Sequence, residues 1–542
     1  MEFLRELYNF KLQLDIYSKI KKQWNLFMES FEYDKFFKKY DLIDVIPKSY
    51  GFDCIVSIPS GKSLVDFRKI LPSLSSYFNS KVIAEYNEGR KDILVKCNFN
   101  SNKIKRKDEI EFKWYSILSD KNYRNIYGET FNLKFLKTLY HPVKNKYLLG
   151  YKYKINIPEG LSYSLLEELS SDLNKAFGVC ILSYDKDKRK AYIEILRKPL
   201  SDNENFEPIP VKPYELYVGM THSYNPIILN YKHDPNTIWG GKPNTGKTLS
   251  MIMGFANLLS QYTSKDVQLF VIMLSDKQDL RIFKNLEQCK YYANNIERAL
   301  SVLNYLSKEC ARRNALLEEA DKYGTITNIY DYNESSKEPL PFLYLAVDEI
   351  ASFSVEGADD LSEKEKNQLV KCNSLVWKLS REGRSVGIFV NMATQRGDMK
   401  NLDANIKGNL SNQVAFYFPN MPSALTILGD TEMAKKCLEL RTQREFICIS
   451  DKIYYGKTLY LTLEMVVNLL KPYYEENKVH LNLKLNGDIV YSTKEEINTS
   501  KKIISIKELE NPKINEEIAL TKSEKTKKTP RFKNWKKEKK AN

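Results

Sequence analysis

One segment of the sequence has the residue types and the spacing of a phosphate-binding loop. Gly241 to Thr248 fits the pattern G-x-x-x-x-G-K-[ST], between a strand-like run and the helix-like run LSMIMGFANLL. The glycines let the backbone turn so that its N–H groups face phosphate oxygens at the positive end of a helix. We therefore predict that this loop binds ATP. Its predicted nucleotide-binding residues are Gly241, Lys242, Pro243, Asn244, Thr245, Gly246, Lys247 and Thr248.

Two acidic residues at the end of a second strand-like run could complete a hydrolytic site. The run Leu343 to Val347 is followed directly by Asp348 and Glu349. Lys247 would then reach the β- and γ-phosphates, Thr248 and Asp348 would hold Mg²⁺, and Glu349 would orient and polarise the attacking water. The alternative is an ordinary strand whose end is capped by acids. The order along the chain, with the phosphate loop first and the two acids afterwards, favours the hydrolytic interpretation.

A third apolar run delivers polar side chains at its carboxyl end. Phe389 to Ala393 is followed by Thr394, Gln395 and Arg396. In a doubly wound sheet, ligands bind at the carboxyl ends of the strands. We therefore expect Gln395 to sense the γ-phosphate or the attacking water.

The length and the net charge of the chain limit the number of domains and the kind of partner. A chain of 542 residues is long enough for roughly two to four domains. Lys and Arg number 84 against 69 Asp and Glu, which gives a formal net charge of +15. This charge favours an acidic partner, either nucleic acid or an anionic membrane surface. An equally good explanation of the charge is AT-rich coding DNA, because such DNA encodes many Lys, Asn, Ile and Tyr residues and all four are abundant here.

Several classes of protein are excluded by the sequence pattern. No apolar run approaches the roughly 18 to 20 residues of a membrane-spanning helix, and Val267 to Leu274 is expected to be a buried strand. The first residues carry scattered charges, which is not typical of a signal peptide. The eight cysteines and four histidines form no ligand pattern, so a disulfide scaffold or zinc site is not expected. We expect a reduced, cytoplasmic location.

An internal repeat precedes the motifs. Ile58-Pro59, Gly61 and Ser63 recur 99 residues later as Ile157-Pro158, Gly160 and Ser162. Each copy reads as a strand, a turn, a helix and one or two further strands, and we predict two small α+β modules. A helical segment comes before them, either lying on a membrane surface or docking on the rest of the protein.

Alternating strand-like and helical runs follow the repeats and predict an α/β fold with a largely parallel sheet. The last residues, Thr521 to Asn542, contain ten Lys and Arg and two Glu. They are expected to be a disordered basic tail, which is either only solvated or a weak contact with DNA or lipid. The expected divisions are a helical segment at 1–48, repeat modules at 49–98 and 151–205 joined by 99–150, a motor domain at 206–470, a mixed region at 471–515 and the tail at 516–542.

An ordered series of segments in the motor region resembles the FtsK/SpoIIIE family of DNA-pumping ATPases. The phosphate loop and the Asp348-Glu349 pair are part of the series, and Ala393 to Arg396 matches the family's Ala-Thr-Gln-Arg signature. The other matching segments are Tyr217 to Gly219, Asn225 to Ile228, Asp276-Lys277, Glu309 to Arg313, Tyr332-Asn333, Arg384 to Ile388, Asn405 to Leu410 and Ser423 to Leu428. The two repeat modules also look like the small α+β module that precedes the motor in that family.

The resemblance implies a RecA-like motor that forms a ring, usually a hexamer, around double-stranded DNA. ATP would lie between subunits, where an arginine of a neighbour stabilises developing charge, and Arg384 and Arg396 are the candidates. Each is equally compatible with a structural salt bridge. DNA would be held mainly through its phosphates, without base reading.

The sequence also departs from the family. Gln413 stands where the family usually has Arg, and Thr431 to Lys435 replaces an expected Gly-rich stretch. We find no winged-helix pattern after residue 470. These departures favour a divergent member from a conjugative element, which would deliver DNA to a secretion channel with a relaxase or channel protein as partner. Two alternatives stay open, an ATPase that engages protein substrates of a specialised secretion system and a non-pumping nucleotide switch in plasmid maintenance.

Overall fold

The protein is described from a computed structural model, which covers residues 17–31, 38–87, 91–99, 104–120, 123–142, 147–185, 190–275, 279–321, 324–355, 360–395, 411–440 and 443–490. The chain divides into two compact units. Unit 1 is drawn from Met1–Leu258 and Ala393–Val466, and unit 2 from Leu259–Met392 and Val467–Asn542. The basic tail and the segments Asp276-Lys277 and Asn405 to Leu410 lie outside the described residues.

The first repeat of unit 1 is a four-stranded antiparallel sheet packed against short helices. Its elements are helix α1 (17–29), β1 (Leu42–Lys48), β2 (Gly51–Ser57), α2 (Leu64–Arg68), α3 (Leu71–Tyr77), β3 (Lys81–Tyr86) and β4 (Asp92–Asn98). The strand order is β1-β2-β4-β3. The expectation of a helical segment reaching residue 48 is wrong at its end, because β1 pairs with β2 there. The sheet tolerates Pro47 since β1 is an edge strand and a missing N–H leaves no partner unsatisfied.

The second repeat has the same order of elements and the same sheet topology. Its elements are α4 (Arg106–Asp120), β5 (Asn132–Tyr140), β6 (Leu148–Asn156), α5 (Tyr163–Glu168), α6 (Ser170–Phe177), β7 (Val179–Asp185) and β8 (Lys190–Leu196). The strand order is β5-β6-β8-β7, antiparallel throughout. Both α4 and β5 come largely from the segment 99–150, for which the sequence made no structural prediction.

The repeated turn and cap have a local physical cause. Gly61 and Gly160 have φ values of +76° and +84°, a left-handed conformation that favours glycine. The side chains of Ser63 and Ser162 then accept hydrogen bonds from the backbone N–H groups of Asp66 and Leu165, which caps the following helices. The strand–turn–helix pattern predicted from the repeat is therefore present in both copies.

The remaining elements form an α/β fold. They are β9 (Glu215–Thr221), β10 (Pro226–Asn230), β11 (Asn236–Gly240), α7 (Lys247–Leu259), β12 (Val267–Ile272), β13 (Cys289–Ala293), α8 (Ile296–Ala320), α9 (Ile329–Ser335), β14 (Phe342–Val347), α10 (Glu363–Glu382), β15 (Ile388–Thr394), β16 (Asn412–Phe416), α11 (Met421–Leu428), α12 (Thr431–Leu438), β17 (Glu445–Ile449), β18 (Ile453–Lys457) and α13 (Leu463–Leu470). Every residue of β11, β14 and β15 is buried. Strands that are buried along their whole length are typical of a sheet covered on both faces.

The strand pairing differs between the two units. In unit 2 the order is β15-β14-β12-β13 and all pairs are parallel. In unit 1 the order is β10-β9-β18-β17-β16-β11, and only β11 with β16 is parallel. The predicted α/β fold with a large parallel-containing sheet is confirmed, while the antiparallel strands β17 and β18 were not predicted. Within the parts of the chain that the structure describes, no helix is long and apolar enough to cross a membrane.

Candidate nucleotide site

The predicted phosphate loop joins a buried strand to a helix. β11 ends at Gly240 and α7 begins at Lys247. Lys247 is only 4% exposed, whereas Lys242 at the start of the loop is exposed. Asn244 has a φ of +64°, a left-handed conformation that asparagine adopts more readily than most residues. The loop therefore turns sharply and places one lysine, at the positive helix end, inside the protein.

Hydrogen bonds from neighbouring strand ends hold the loop in unit 1. The backbone N–H of Gly241 donates to the carbonyl of Thr394 over 3.3 Å, and the N–H of Lys242 donates to the carbonyl of Tyr417 over 3.0 Å. Within the loop, Thr245 Oγ1 donates to the carbonyl of Lys242 over 2.7 Å. Thr394 is thus at the carboxyl end of β15, as its sequence position predicted, and lies next to the loop.

Gln395 follows Thr394 directly and is half-buried. Its predicted role at the γ-phosphate or the water remains a prediction. Arg396, which stands next in the Ala-Thr-Gln-Arg segment, lies outside the described residues.

Arg444 also contacts the loop, although no sequence pattern pointed to it. Its backbone N–H donates to the carbonyl of Thr245 over 2.8 Å, and its own carbonyl accepts from the N–H of Thr458 over 2.8 Å. A β-carbon on Gly246 would lie 2.9 Å from the Cα of Arg444, so only glycine fits there. Gly246 has a φ of +108°, which also disfavours any other residue.

Two further contacts hold the side chain of Arg444 in place. Its guanidinium lies over the ring of Tyr460, 5.6 Å from the centroid, and Nη2 donates to the carbonyl of Asp202. Arg444 itself has a φ of +74°. A non-glycine residue in this conformation costs conformational energy and is retained where surrounding contacts determine the backbone. The positive φ of Arg444 is what marks this residue in the structure, and a backbone angle of this kind cannot be read from the sequence.

A polar cavity lies next to this anchor in unit 1. Its volume is about 620 Å³, and Asp202, His222, Glu445 and Lys457 are among the residues that line it. Lys457 is almost fully buried and forms an ion pair with Asp202. His222 Nε2 lies 3.9 Å from Glu445 Oε1. Burial lowers the pKa of His222, against a smaller opposing effect of Glu445.

The two predicted acids lie at the end of β14 in unit 2 and have different surroundings. Asp348 is 3% exposed, and its Oδ2 accepts a hydrogen bond from Ser275 Oγ over 2.8 Å. Glu349 is half-buried and caps the 3₁₀ turn Ile350–Phe353 by accepting from the backbone N–H of Ala351 over 3.4 Å. The buried acid is thus held in place, and the second acid has access to solvent.

Arg384 follows α10 in unit 2 and is exposed. Among the described residues it has no ion pair, so the structural salt bridge that the sequence left open is not seen there. Its proposed action on a neighbouring subunit stays a prediction.

The residues of the phosphate loop in unit 1 fit the phosphates of a nucleotide. Gly246 packs against the Arg444 backbone with no room for a β-carbon, which holds the kind of glycine turn that a phosphate loop requires. Lys247 supplies a buried positive charge beside this turn. The Thr248 hydroxyl that follows Lys247 is an oxygen ligand of the type that Mg²⁺ prefers.

Residues 210–398 match the model of the FtsK/SpoIIIE family. This match agrees with the resemblance that the sequence showed over the same region, and the link to a conjugative element stays a prediction. The matched range contains the phosphate loop, both acids, Thr394 and Gln395.

Curated relatives agree with this domain. The DNA translocase FtsK of Borreliella burgdorferi is 24% identical over 256 residues, which cover 46% of this chain and 30% of the relative. The DNA translocase SftA of Bacillus subtilis is 22% identical over 233 residues, which cover 42% of this chain and 23% of the relative. The similarity thus spans less than a third of the length of these relatives.

Solved structures show weaker similarity. The monomer form of the pCW3 conjugation coupling protein TcpA with ATPγS matches at a TM-score of 0.47 and 16% identity, covering 67% of this chain and 99% of that chain. EssC ATPases 2 and 3 from Geobacillus thermodenitrificans match at a TM-score of 0.42 and 16% identity, covering 50% of each chain.

Proposed function

We propose that this protein is an ATP-hydrolysing motor that moves double-stranded DNA and delivers it to a conjugative transfer channel. One observation carries the proposal. Lys247 is buried at the first residue of α7, behind a phosphate loop that strand ends hold by hydrogen bonds, and this loop lies inside the segment that matches a family of DNA translocases.

Each site residue has a proposed role in ATP hydrolysis. Loop N–H groups and Lys247 bind the phosphates, and Thr248 and Asp348 hold Mg²⁺, which when bound neutralises charge on the phosphate oxygens. Glu349 orients and polarises the attacking water, since its carboxylate is half-buried and is positioned by its cap on Ala351. Gln395 senses the γ-phosphate or the water.

The proposal extends to assembly and location. The motor forms a homo-hexameric ring around DNA, and Arg384 or Arg396 of one subunit acts on the nucleotide of its neighbour. The exposure of Arg384 supports a contact outside its own chain. We place the protein in the cytoplasm at the inner face of the membrane, where relaxase or channel proteins recruit it. The motor at 206–470 is proposed as one domain, and the two repeats before it are proposed as two modules that begin at α1 and α4.

The test is steady-state ATP hydrolysis with and without long linear double-stranded DNA. Lys247→Ala serves as the blank, and Lys242→Ala, which changes an exposed lysine of the same loop, is the matched control. Stimulation that grows with DNA length is expected from a translocating motor. An ATP hydrolysis rate that does not change when DNA is added would contradict the proposal. If a secretion-substrate peptide stimulates hydrolysis instead, the protein is better described as an ATPase that engages protein substrates.

A further inference from the structure

One face of the second repeat's sheet carries lysines and is open to solvent. On β6, Tyr153 and Ile155 point into the hydrophobic core, so Lys152 and Lys154 point to the opposite face. The strand pairing places three further lysines of β5 and β8 on that same face. We call this set the lysine face, and its members are Lys134, Lys137, Lys152, Lys154 and Lys190.

The lysine face contains two pairs of like charges directly across from each other. Lys134 lies opposite Lys154, and Lys137 lies opposite Lys152, on the neighbouring strands β5 and β6. Like charges in such positions destabilise a sheet. Neighbouring strands lie about 4.8 Å apart, and residues two apart on a strand about 6.6 Å apart, so the ammonium groups form one dense patch of charge.

The acids on the same face do not neutralise the patch. Lys152 forms an ion pair with Glu194 over 3.0 Å, and Asp185 lies opposite Lys190 at the edge. Lys137 and Lys154 have no acidic partner among the described residues. The face therefore keeps an excess of positive charge where solvent has access.

The first repeat shows what the equivalent face looks like when it is covered. There Asp53 stands at the position of Lys152, and its ion pair with Lys96, over 3.0 Å, is almost fully buried. Helix α4 lies against this face, with Glu111 paired to Lys48 and the ring of Tyr115 under Lys96. In the second repeat the corresponding pair of Lys152 and Glu194 is 27% and 18% exposed. The two copies therefore differ in that one face is closed by a helix and the other is open and positive.

We propose that the lysine face binds the phosphate backbone of double-stranded DNA, as a contact separate from the nucleotide site. Charge complementarity carries this choice of occupant, because the electrostatic contact of proteins with DNA is made by Lys and Arg on phosphates and needs no base reading. Because a sheet face is too broad to enter a groove, its lysines would contact phosphates rather than base edges, which suits a motor that must accept every sequence. The inference rests on the proposed function, since it names a further surface for the same substrate.

The experiment measures binding of the full chain to a fluorescent DNA duplex at several salt concentrations between about 50 and 200 mM. The variant is Lys137→Gln with Lys154→Gln, which removes the charges and leaves polar side chains that are one atom shorter. The matched control is Lys69→Gln with Lys175→Gln. These two lysines are 73% and 75% exposed on helices of the two repeats, and their removal changes the net charge equally. Thermal unfolding of each variant reports on the fold.

The expected result is specific to the lysine face. Loss of two phosphate contacts, each worth about 0.9 in the slope of log K against log salt, should lower that slope by about 2. Affinity at about 0.1 M salt should fall roughly tenfold, while the control keeps the slope of the unmodified chain. The unfolding temperature of the lysine-face variant should not fall, because like-charge repulsion is relieved.

The contrary results can be told apart. Unchanged duplex affinity and slope in the lysine-face variant, with normal DNA-stimulated hydrolysis, would overturn this inference and leave the proposed function standing. If the unmodified chain does not bind the duplex, or if the duplex does not stimulate its ATP hydrolysis, both this inference and the proposed function are wrong. If the variant binds DNA normally but no longer binds vesicles of anionic lipid, or an acidic peptide, the face serves that partner and the inference for DNA is wrong.

Discussion

The backbone N–H of Arg444 donates a hydrogen bond to the carbonyl of Thr245, 2.8 Å away, and so a residue far along the chain supports the phosphate loop from behind. The contact lies at the point where Gly246 has no space for a side chain. The hydrogen bond fixes the direction of the Thr245 carbonyl within the loop. The shape of the loop thus depends on the turn that precedes β17 as well as on its own glycines.

Gly246→Ala should weaken ATP binding by about tenfold or more. The added methyl group would meet the Arg444 backbone, and the φ of +108° is strained for alanine, which together should cost about 1 to 3 kcal/mol of loop geometry. The control is Gly429→Ala, where φ is +66° and nothing lies within 4 Å of the added carbon. It should lose about 1 kcal/mol of stability and no affinity for ATP. Equal ATP titrations of the two variants would contradict the role of the Arg444 contact.

Lys247→Ala should abolish nucleotide binding and turnover, since the phosphates lose the one buried cation of the loop. Lys242→Ala should keep most of both, because Lys242 is exposed. Binding of a fluorescent ATP analogue and phosphate release measure the two effects. Normal hydrolysis by Lys247→Ala would show that the loop is not the nucleotide site.

Glu349→Gln should bind ATP normally and hydrolyse it about 10²- to 10⁴-fold more slowly. Glutamine retains an oxygen that can accept from Ala351, so the turn should survive while the base is lost. The control is Glu363→Gln at the start of α10, whose side chain is 87% exposed. A single-turnover assay separates binding from chemistry. Equal rates in the two variants would remove Glu349 from the hydrolytic role.

The free energy of unfolding should decrease as the pH falls, because His222 is buried in the folded chain. Burial lowers the pKa of His222 below its ordinary value of 6.5, so the folded chain resists protonation more than the unfolded chain does. Its contribution to stability is therefore complete above about pH 6.5 and is lost as the pH falls towards the lowered folded pKa. The Glu445 carboxylate faces it and partly opposes the shift.

The measurement for His222 is urea unfolding at about pH 7.5 and about pH 5.5. His222→Gln should lose less stability between the two conditions than the unmodified chain. His233→Gln, which changes an exposed histidine, should behave as the unmodified chain does. Burial also lowers the pKa of His480, but that residue is present in both variants and cancels in the difference. Identical acid sensitivity of the two variants would refute the assignment.

Much of the nucleotide site could be predicted because its signals are local. A glycine-rich turn between a strand and a helix, and two acids after an apolar run, depend on short-range backbone preferences. Phe342 to Val347 forms β14 as its apolar character predicts, and Thr394 ends β15. The antiparallel strands β17 and β18 were not predicted, since their pairing joins segments whose side chains show no clear alternation.

The sequence by itself predicted the candidate phosphate loop, the two acids that follow it in order, the resemblance of the 206–470 region to the FtsK/SpoIIIE family and the two repeats with their turns. Only the tertiary structure decided that Arg444 lies behind Gly246 and that α4 covers the sheet face of the first repeat while the lysine face of the second stays open. The physical reason is the range of the interactions. Turns, caps and apolar periodicity act between residues close in the chain, whereas which face is covered depends on how distant elements pack.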